Sequence, residues 1–446
     1  AGDQRLEDLA AAQRVGRLQV DGQHRGGPQG QGARSLRRPA NPVRVLDVPQ
    51  PDHVGGRRPI AGSLVEDVHA AAAQQVLSRA KAARVRPLCL CQSPGVEMYI
   101  AAAGQDLIVK RMPGTGAAHD HRCRSWLPPG ELSGYGAVAE RSIVDNPGDG
   151  TTALRLGFSL SKAGNRAAPE PSDSPSSTVQ TDGNKLSLRA VLHYLWDEAE
   201  LTSWHPAFTG HRSWAVVYRR LRAAVDGKLV RKNPLATSVF VPEPFSADRK
   251  TEIEQRRIRA WAPARRQPGK TTKLLIGVGE IKAIEPAGHG FKLQVRHQPG
   301  HPWFLEEDLY RKLTKRFATE LEVWRMAEAG EVRLLAICTF SVSRAGYANV
   351  EQLSLMTTDR NWLPFTGDAD RTLLSTAIDE QRSFRKVLSY NGSAIPMASL
   401  IFTDTTPAIA AFIDRPAGEG DGEGSIAGLP VWNWRTDEDM PDLPSP

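Results

Sequence analysis

The sequence predicts an α+β, multidomain protein with a small cysteine-bearing module, a mainly helical middle and a mixed α/β C-terminal body. Three observations carry this. The 446 residues suffice for two or three domains of ordinary size. Three of the four cysteines crowd into residues 89–123. Downstream, the apolar pattern changes from helical spacing over residues 186–225 to strand-like runs over residues 273–357.

Composition narrows the function classes. Net charge is +7 and the pI about 9.3, compatible with an acidic partner and equally with a plain basic protein. Four cysteines in this length make no disulfide framework. No run approaches the roughly 20 apolar residues of a membrane span. Residues 1–20 carry Gln, Asp and Arg throughout, unlike a signal peptide. A cytoplasmic protein without a membrane partner is the expectation.

In chain order, residues 1–65 lack aromatics and lysine and are dense in Arg, Gly, Gln and Pro. Such a stretch cannot bury enough apolar surface to offset its ordering entropy, so a disordered or non-native N-terminal extension is expected. The alanine-rich run Val65–Arg84 predicts a helix. A module over residues 66–130 follows, holding Cys89-Leu90-Cys91 and His119-Asp120-His121-Arg122-Cys123. Pro94-Gly95 and Pro113-Gly114 supply turns around a hairpin of Met98–Ile100 with Leu107–Arg111.

Thiolates and imidazoles in this number point to one tetrahedral zinc ion. The expected ligands are Cys89, Cys91, Cys123 and either His119 or His121. The single residue between the first two cysteines is tighter than the usual spacing. Three thiolates leave a formal charge of −1, which Lys110, Arg111, Arg122 and Arg124 are placed in sequence to offset. Buried reduced thiols beside surface histidines, or a disulfide, remain open readings. A closed four-ligand zinc would be structural, since catalytic zinc keeps a position for water.

Residues 131–262 read as a mainly helical middle, interrupted by a mobile Ser/Pro-rich loop at 163–182. Helices are expected at Leu186–Ala199, Ser213–Val225 and Ser246–Trp261. The first two are too far apart in sequence for a helix-turn-helix. Gln267–Thr272 falls short of a phosphate-binding loop because position 264 is Ala264. Gly277-Val278-Gly279 lacks the third glycine of a dinucleotide fingerprint.

Residues 263–415 form the expected C-terminal body. A hairpin of Lys273–Ile284 with Phe291–Arg296 precedes one long helix whose stripe is Leu305, Leu309, Leu313, Phe317, Leu321 and Trp324. Arg311, Lys312, Lys315 and Arg316 on that helix are candidates for nucleic-acid contact, or a solvated face. Strands are expected at Val332–Phe340, with Cys338 in the core, and at Val350–Thr357. A helix follows near Arg371–Gln381, then strands at Ser399–Phe402 and Ile409–Ile413. Residues 416–446 read as a flexible tail whose Trp432 and Trp434 dock back.

Several stretches together resemble a family of bacterial, often plasmid-borne proteins of unknown function. They are Arg86–Cys91, Val109–Gly116, His119-x-x-x-Cys123, Asp149–Leu154, Leu192–Trp196, Pro242–Ser246 and Leu313–Phe317. The resemblance covers about Ser63–Trp434. It implies a plasmid or mobile-element context and, through His-x-x-x-Cys, favours His119 as ligand. Arg371–Asp414 is more weakly similar to a restriction-endonuclease-like core. That core needs a carboxylate on one strand and Glu-x-Lys or Asp-x-Lys on the next to hold Mg²⁺. Ala398-Ser399 and Asp414-Arg415-Pro416 stand there instead. The leading expectation is a non-catalytic zinc-binding accessory protein contacting nucleic acid or a plasmid-encoded protein. The alternative is a nuclease-like hydrolase, degenerate in its site.

Overall fold

The computed structural model describes residues 43–45, 63–65, 70–103, 106–146, 150–162, 184–266, 269–390, 397–415 and 425–446. They form an α+β structure with seven α-helices and several sheets, one of them closed.

The first region is a five-stranded sheet of β1 (Val43–Val45), β2 (Ser63–Val65), β3 (Leu88–Cys89), β4 (Val96–Ala103) and β5 (Asp106–Arg111), in the order β2-β1-β3-β4-β5. Helix α1 (Ala71–Ala82) buries Ala73, Leu77 and Ala80 beside it. The expected hairpin is present as β4–β5, with Ile100 opposite Val109. The expected N-terminal extension lies largely outside the described residues. Of it, Val43–Val45 and Ser63–Val65 are described as paired strands, with Val43 in register opposite Cys89.

The middle holds β6 (Ile143–Asn146), β7 (Thr151–Leu154), β8 (Ser161–Lys162), α2 (Leu188–Glu198), β9 (Ser203–Trp204), α3 (Trp214–Ala224), β10 (Lys228–Val230), β11 (Asn233–Pro234), β12 (Val239–Phe240) and α4 (Lys250–Trp261). Its three helices fall near their expected places. Ser187 caps α2 by accepting from the Ala190 N–H. The expected mobile loop lies outside the described residues. Of the middle histidines, His193 is buried, its Nδ1 against the Ser389 carbonyl.

The C-terminal body begins with β13 (Thr272–Lys273), β14 (Leu275–Pro286), β15 (Phe291–Val295) and β16 (Trp303–Leu305), followed by α5 (Glu307–Arg316), α6 (Ala318–Met326), β17 (Val332–Val342) and β18 (Ala348–Asp359). The pairings β14–β15, β15–β16, β16–β18, β18–β17 and β17–β14 close a five-stranded barrel; only β16–β18 within it is parallel. Leu275, Ile281, Leu293, Trp303, Leu334, Cys338 and Phe340 share its core. The alternate residues Ile276, Val278, Leu335, Ile337 and Met356 belong to another core, with Leu192, Leu195 and Trp196 of α2 and Trp214 and Leu221 of α3. These strands are thus apolar on both faces, and so read as continuous runs. A Cβ at Gly279 would lie 2.8 Å from Val295 and 3.3 Å from Trp303, so Gly277 and Gly279 make room for an indole inside a narrow barrel.

The long helix expected over residues 305–324 is two helices, and Leu305 belongs to a strand. Phe317 (φ −114°, ψ 35°) breaks it. Buried beside Leu313 and Leu321, Phe317 holds the bend because its ring fills the barrel core.

The remaining elements are α7 (Gly367–Asp379), β19 (Phe384–Lys386), β20 (Leu400–Phe402), β21 (Ile409–Ile413), β22 (Ser425–Ile426) and β23 (Leu429–Trp434). With β9 they form a six-stranded sheet of order β22-β23-β21-β20-β19-β9. In the described part of the expected tail the tryptophan-bearing segment docks on the body, as a strand. β23 runs parallel to β21, and Trp434 is buried. The apolar indoles favour burial over solvation. This sheet divides its side chains by alternation. Leu400, Phe402 and Ala411 face the core holding Leu373 and Leu374 of α7, whereas Ile401, Ala410 and Phe412 share a cluster with Cys89, Cys123 and Trp126. The cysteine module therefore packs directly on the C-terminal sheet.

Candidate metal centre

Strand β3 presents Cys89, and the turn after it returns Cys91. The other two residues come from the segment after β5. A 3-10 turn at Gly116–Ala118 ends at His119 in extended conformation. The Cys123 N–H then donates to the Asp120 carbonyl at 2.8 Å, and the Arg122 N–H donates to Asp120 Oδ1 at 2.9 Å. This turn puts Cys123 beside His119. The Leu127 N–H closes the segment onto the Gly116 carbonyl at 3.1 Å, where an added Cβ would meet Leu127 at 2.6 Å.

Four potential ligand atoms converge, one each from Cys89, Cys91, His119 and Cys123, all within 4.8 Å of one another. Cys89 Sγ lies 3.7 Å from Cys123 Sγ, and His119 Nδ1 lies 3.3 Å from Cys91 Sγ and 3.6 Å from Cys123 Sγ. A tetrahedral zinc with Zn–S near 2.3 Å and Zn–N near 2.0 Å has edges of about 3.8 Å and about 3.5 Å. The thiols are free, and the sulfur separation far exceeds the roughly 2.05 Å of a disulfide. These four residues form a set that can hold a metal ion.

Cys89, His119 and Cys123 are buried and Cys91 is partly exposed. A hydrogen bond from Cys123 holds the Cys89 thiol down to about 4, and the same bond, with burial, pushes Cys123 up. Burial also pushes the Cys91 thiol up. The Ser125 N–H donates to Cys123 Sγ at 3.3 Å, the kind of outer bond that steadies a ligand. His119 Nε2 is buried with no partner among the described residues, and Nδ1 is the atom directed at the sulfurs.

His121 stands apart, with Nε2 against the Thr405 carbonyl at 3.1 Å. The cations thought to offset the thiolate charge are engaged elsewhere. Lys110 donates to the Ala223 carbonyl, Arg111 pairs with Glu198 at 2.8 Å, Arg122 bonds Thr406 Oγ1, and Arg124 bonds Glu200. Arg111, Lys228 and Glu198 instead build a buried ion cluster, with Lys228 Nζ 2.5 Å from Glu198. A 480 Å³ open depression beside the centre is lined by His119 and His121 together with Thr406, Ala408 and Leu429. Sequence reasoning placed nothing beyond residue 127 here, because no local spacing reports a contact across some 280 positions.

The four basic candidates do not join this centre. Arg311, Lys312, Lys315 and Arg316 are exposed on α5, where Arg311 pairs with Asp308 and Arg316 lies over the Phe317 ring.

Residues 61–437 match the family described as "Protein of unknown function (DUF1173)". The chain belongs to this family. No curated protein and no solved structure matches it. Among the described residues, no helix is long and apolar enough to cross a membrane.

Proposed function

We propose that this DUF1173 chain is a non-catalytic, zinc-binding accessory protein of plasmid or mobile-element biology that contacts nucleic acid or a protein partner. The observation that carries the reading is the closed Cys89, Cys91, His119, Cys123 set. Three sulfurs and one imidazole nitrogen within 4.8 Å of one another, three of their separations near tetrahedral edge lengths, suit Zn²⁺ better than hard, oxygen-seeking cations. With four protein ligands no position is left for a reacting water. With ligands from β3 and the turn after it and from residues 119–123, the ion ties these two segments together, and the cluster around them packs on the C-terminal sheet. The exposed cations Arg311, Lys312, Lys315 and Arg316 are the proposed nucleic-acid contacts of α5.

A degenerate nuclease-like core is a second reading, supported by one observation. After α7, strands β19, β20 and β21 run antiparallel and β23 adds parallel to β21. Neither β20 (Leu-Ile-Phe) nor β21 (Ile-Ala-Ala-Phe-Ile) carries a carboxylate. Asp370 is instead locked in a buried pair with Lys386 at 3.0 Å. The discriminating experiment incubates the purified protein with single- and double-stranded DNA and Mg²⁺. Retention without cleavage, with one zinc per chain, is expected. Cleavage abolished by Asp370→Asn would overturn the non-catalytic reading.

A further inference from the structure

Numbered within the barrel, β14, β15, β16, β17 and β18 are strands 1 to 5, and they pair in the closed order 1-2-3-5-4-1 with the helices α5 and α6 inserted between strands 3 and 4. Strands 3 and 5 are parallel and strand 1 pairs with both 2 and 4. This is the topology of an oligonucleotide/oligosaccharide-binding barrel, in which the strand 2–3 face and the loops 1–2 and 4–5 receive the ligand. Topology alone assigns no function, so the side chains at that face must decide.

On strand 3, Trp303 and Leu305 point into the barrel and Phe304 points out, half-buried. Directly across on strand 2 stands Lys292, and on strand 5 Asn349. Tyr347, in the loop between strands 4 and 5, meets Phe304 edge-on with ring centroids 5.4 Å apart. Tyr347 is 45% exposed, one of few large apolar side chains in the open among the described residues. Exposed Arg344 lies in the same loop, and its carbonyl accepts from exposed Arg265 at 3.1 Å. Arg266 donates its N–H to the Val342 carbonyl where that loop begins. Beside this surface Glu285 is paired with Lys292 at 3.2 Å and Glu351 with Lys162 at 2.7 Å. One open ring, Tyr347, against the half-buried, outward-facing Phe304 and flanked by exposed arginines, matches stacked bases on a phosphate backbone. A glycan would need no such positive charge.

We infer that this face, with Phe304 and Tyr347 as stacking platforms and Arg265, Arg344 and Lys292 along the phosphates, binds single-stranded nucleic acid. The inference rests on the proposed nucleic-acid contact and moves its centre from α5 to the barrel. The test measures binding of the full chain to a fluorescent oligothymidine of about 15 nucleotides and to a duplex of equal length. Wild type is expected to prefer the single strand. Tyr347→Ala and Phe304→Leu should each weaken binding by about tenfold or more, and Tyr347→Trp should retain it. Arg344→Ala should flatten the salt slope by about 0.7. Unchanged binding in Tyr347→Ala, lost instead when the four α5 cations are neutralised, would overturn the barrel face while leaving nucleic-acid contact standing. Absence of binding to either form by wild type would remove both, and preference for duplex would overturn the single-strand assignment. Tyr347 is an exposed loop residue, so its variants fold, and circular dichroism checks this.

Discussion

Replacing Cys123 by serine removes one thiolate from the centre while nearly preserving side-chain volume. Structural zinc in small modules contributes about 10–16 kcal/mol of apparent binding energy. Shared over four ligands, that is about 3 kcal/mol each, or about a hundredfold in zinc affinity. Part of this becomes folding stability: each tenfold excess of free metal over its Kd adds about 1.4 kcal/mol to a fold that binds it only when native. The structure says where the loss appears. Cys123 and Cys89 share an apolar cluster with Ile401, Ala410 and Phe412. Hydrogen exchange should therefore rise in residues 89–126 and also in β20 and β21, although these lie far away in sequence. Zinc competition with a chromogenic chelator gives the affinity, and exchange mass spectrometry the location. His121→Ala is the control. It loses the contact with the Thr405 carbonyl, about 1 kcal/mol, and a long approach to Asp120 at 4.0 Å, and should leave zinc affinity unchanged. Less than about half an equivalent of metal in protein purified without chelator, with the thiols shown to be reduced, would refute the reasoning. So would a His121→Ala variant that loses zinc as Cys123→Ser does.

Glu198→Gln should destabilise the fold by about 3–5 kcal/mol, because Lys228 and Arg111 lose their shared buried anion. Denaturant melts read this, and Glu198→Met with Lys228→Met should recover only the part of the loss due to Lys228, since Arg111 stays unpaired. Burial, helped by Arg189, pushes the His193 imidazole down to about 3, against about 6.5 when unfolded. The unfolded chain then binds the extra proton first, so stability is lost as pH falls below about 6.5, at up to about 1.4 kcal/mol per pH unit for this group. His193→Asn should flatten that dependence between pH 6 and 4 relative to wild type, and an unchanged difference would discard His193 as its source. Gly279→Val should cost about 1–3 kcal/mol by overfilling the barrel beside Trp303, seen as a lower Tm.

Much of this protein was legible in the order of its residues. Side-chain period is local, so the stripes of α2 and α3 and the runs of β14, β17 and β18 announce themselves. The four candidate ligands could be named because Cys-x-Cys and His-x-x-x-Cys bring rare residue types together at short spacing. The choice of His119 over His121 followed from resemblance, and the convergence of Nδ1 on two sulfurs agrees with it. The bend at Phe317 was not legible, because a continuous stripe fits one long helix as well as two. Phe317 breaks it only because the barrel core lies in reach of its ring. Nor could periodicity reveal that β14 serves two cores or that five strands close into a ring, since closure depends on pairing between β14 and β17, some 60 positions apart. The gathering of Cys123 and Phe412 in one apolar cluster, and the packing of Tyr347 against Phe304, were decided by tertiary structure alone. Sequence fixes which side chains are apolar and at what local period, whereas which surfaces meet is settled by the folded chain's need to bury them all at once.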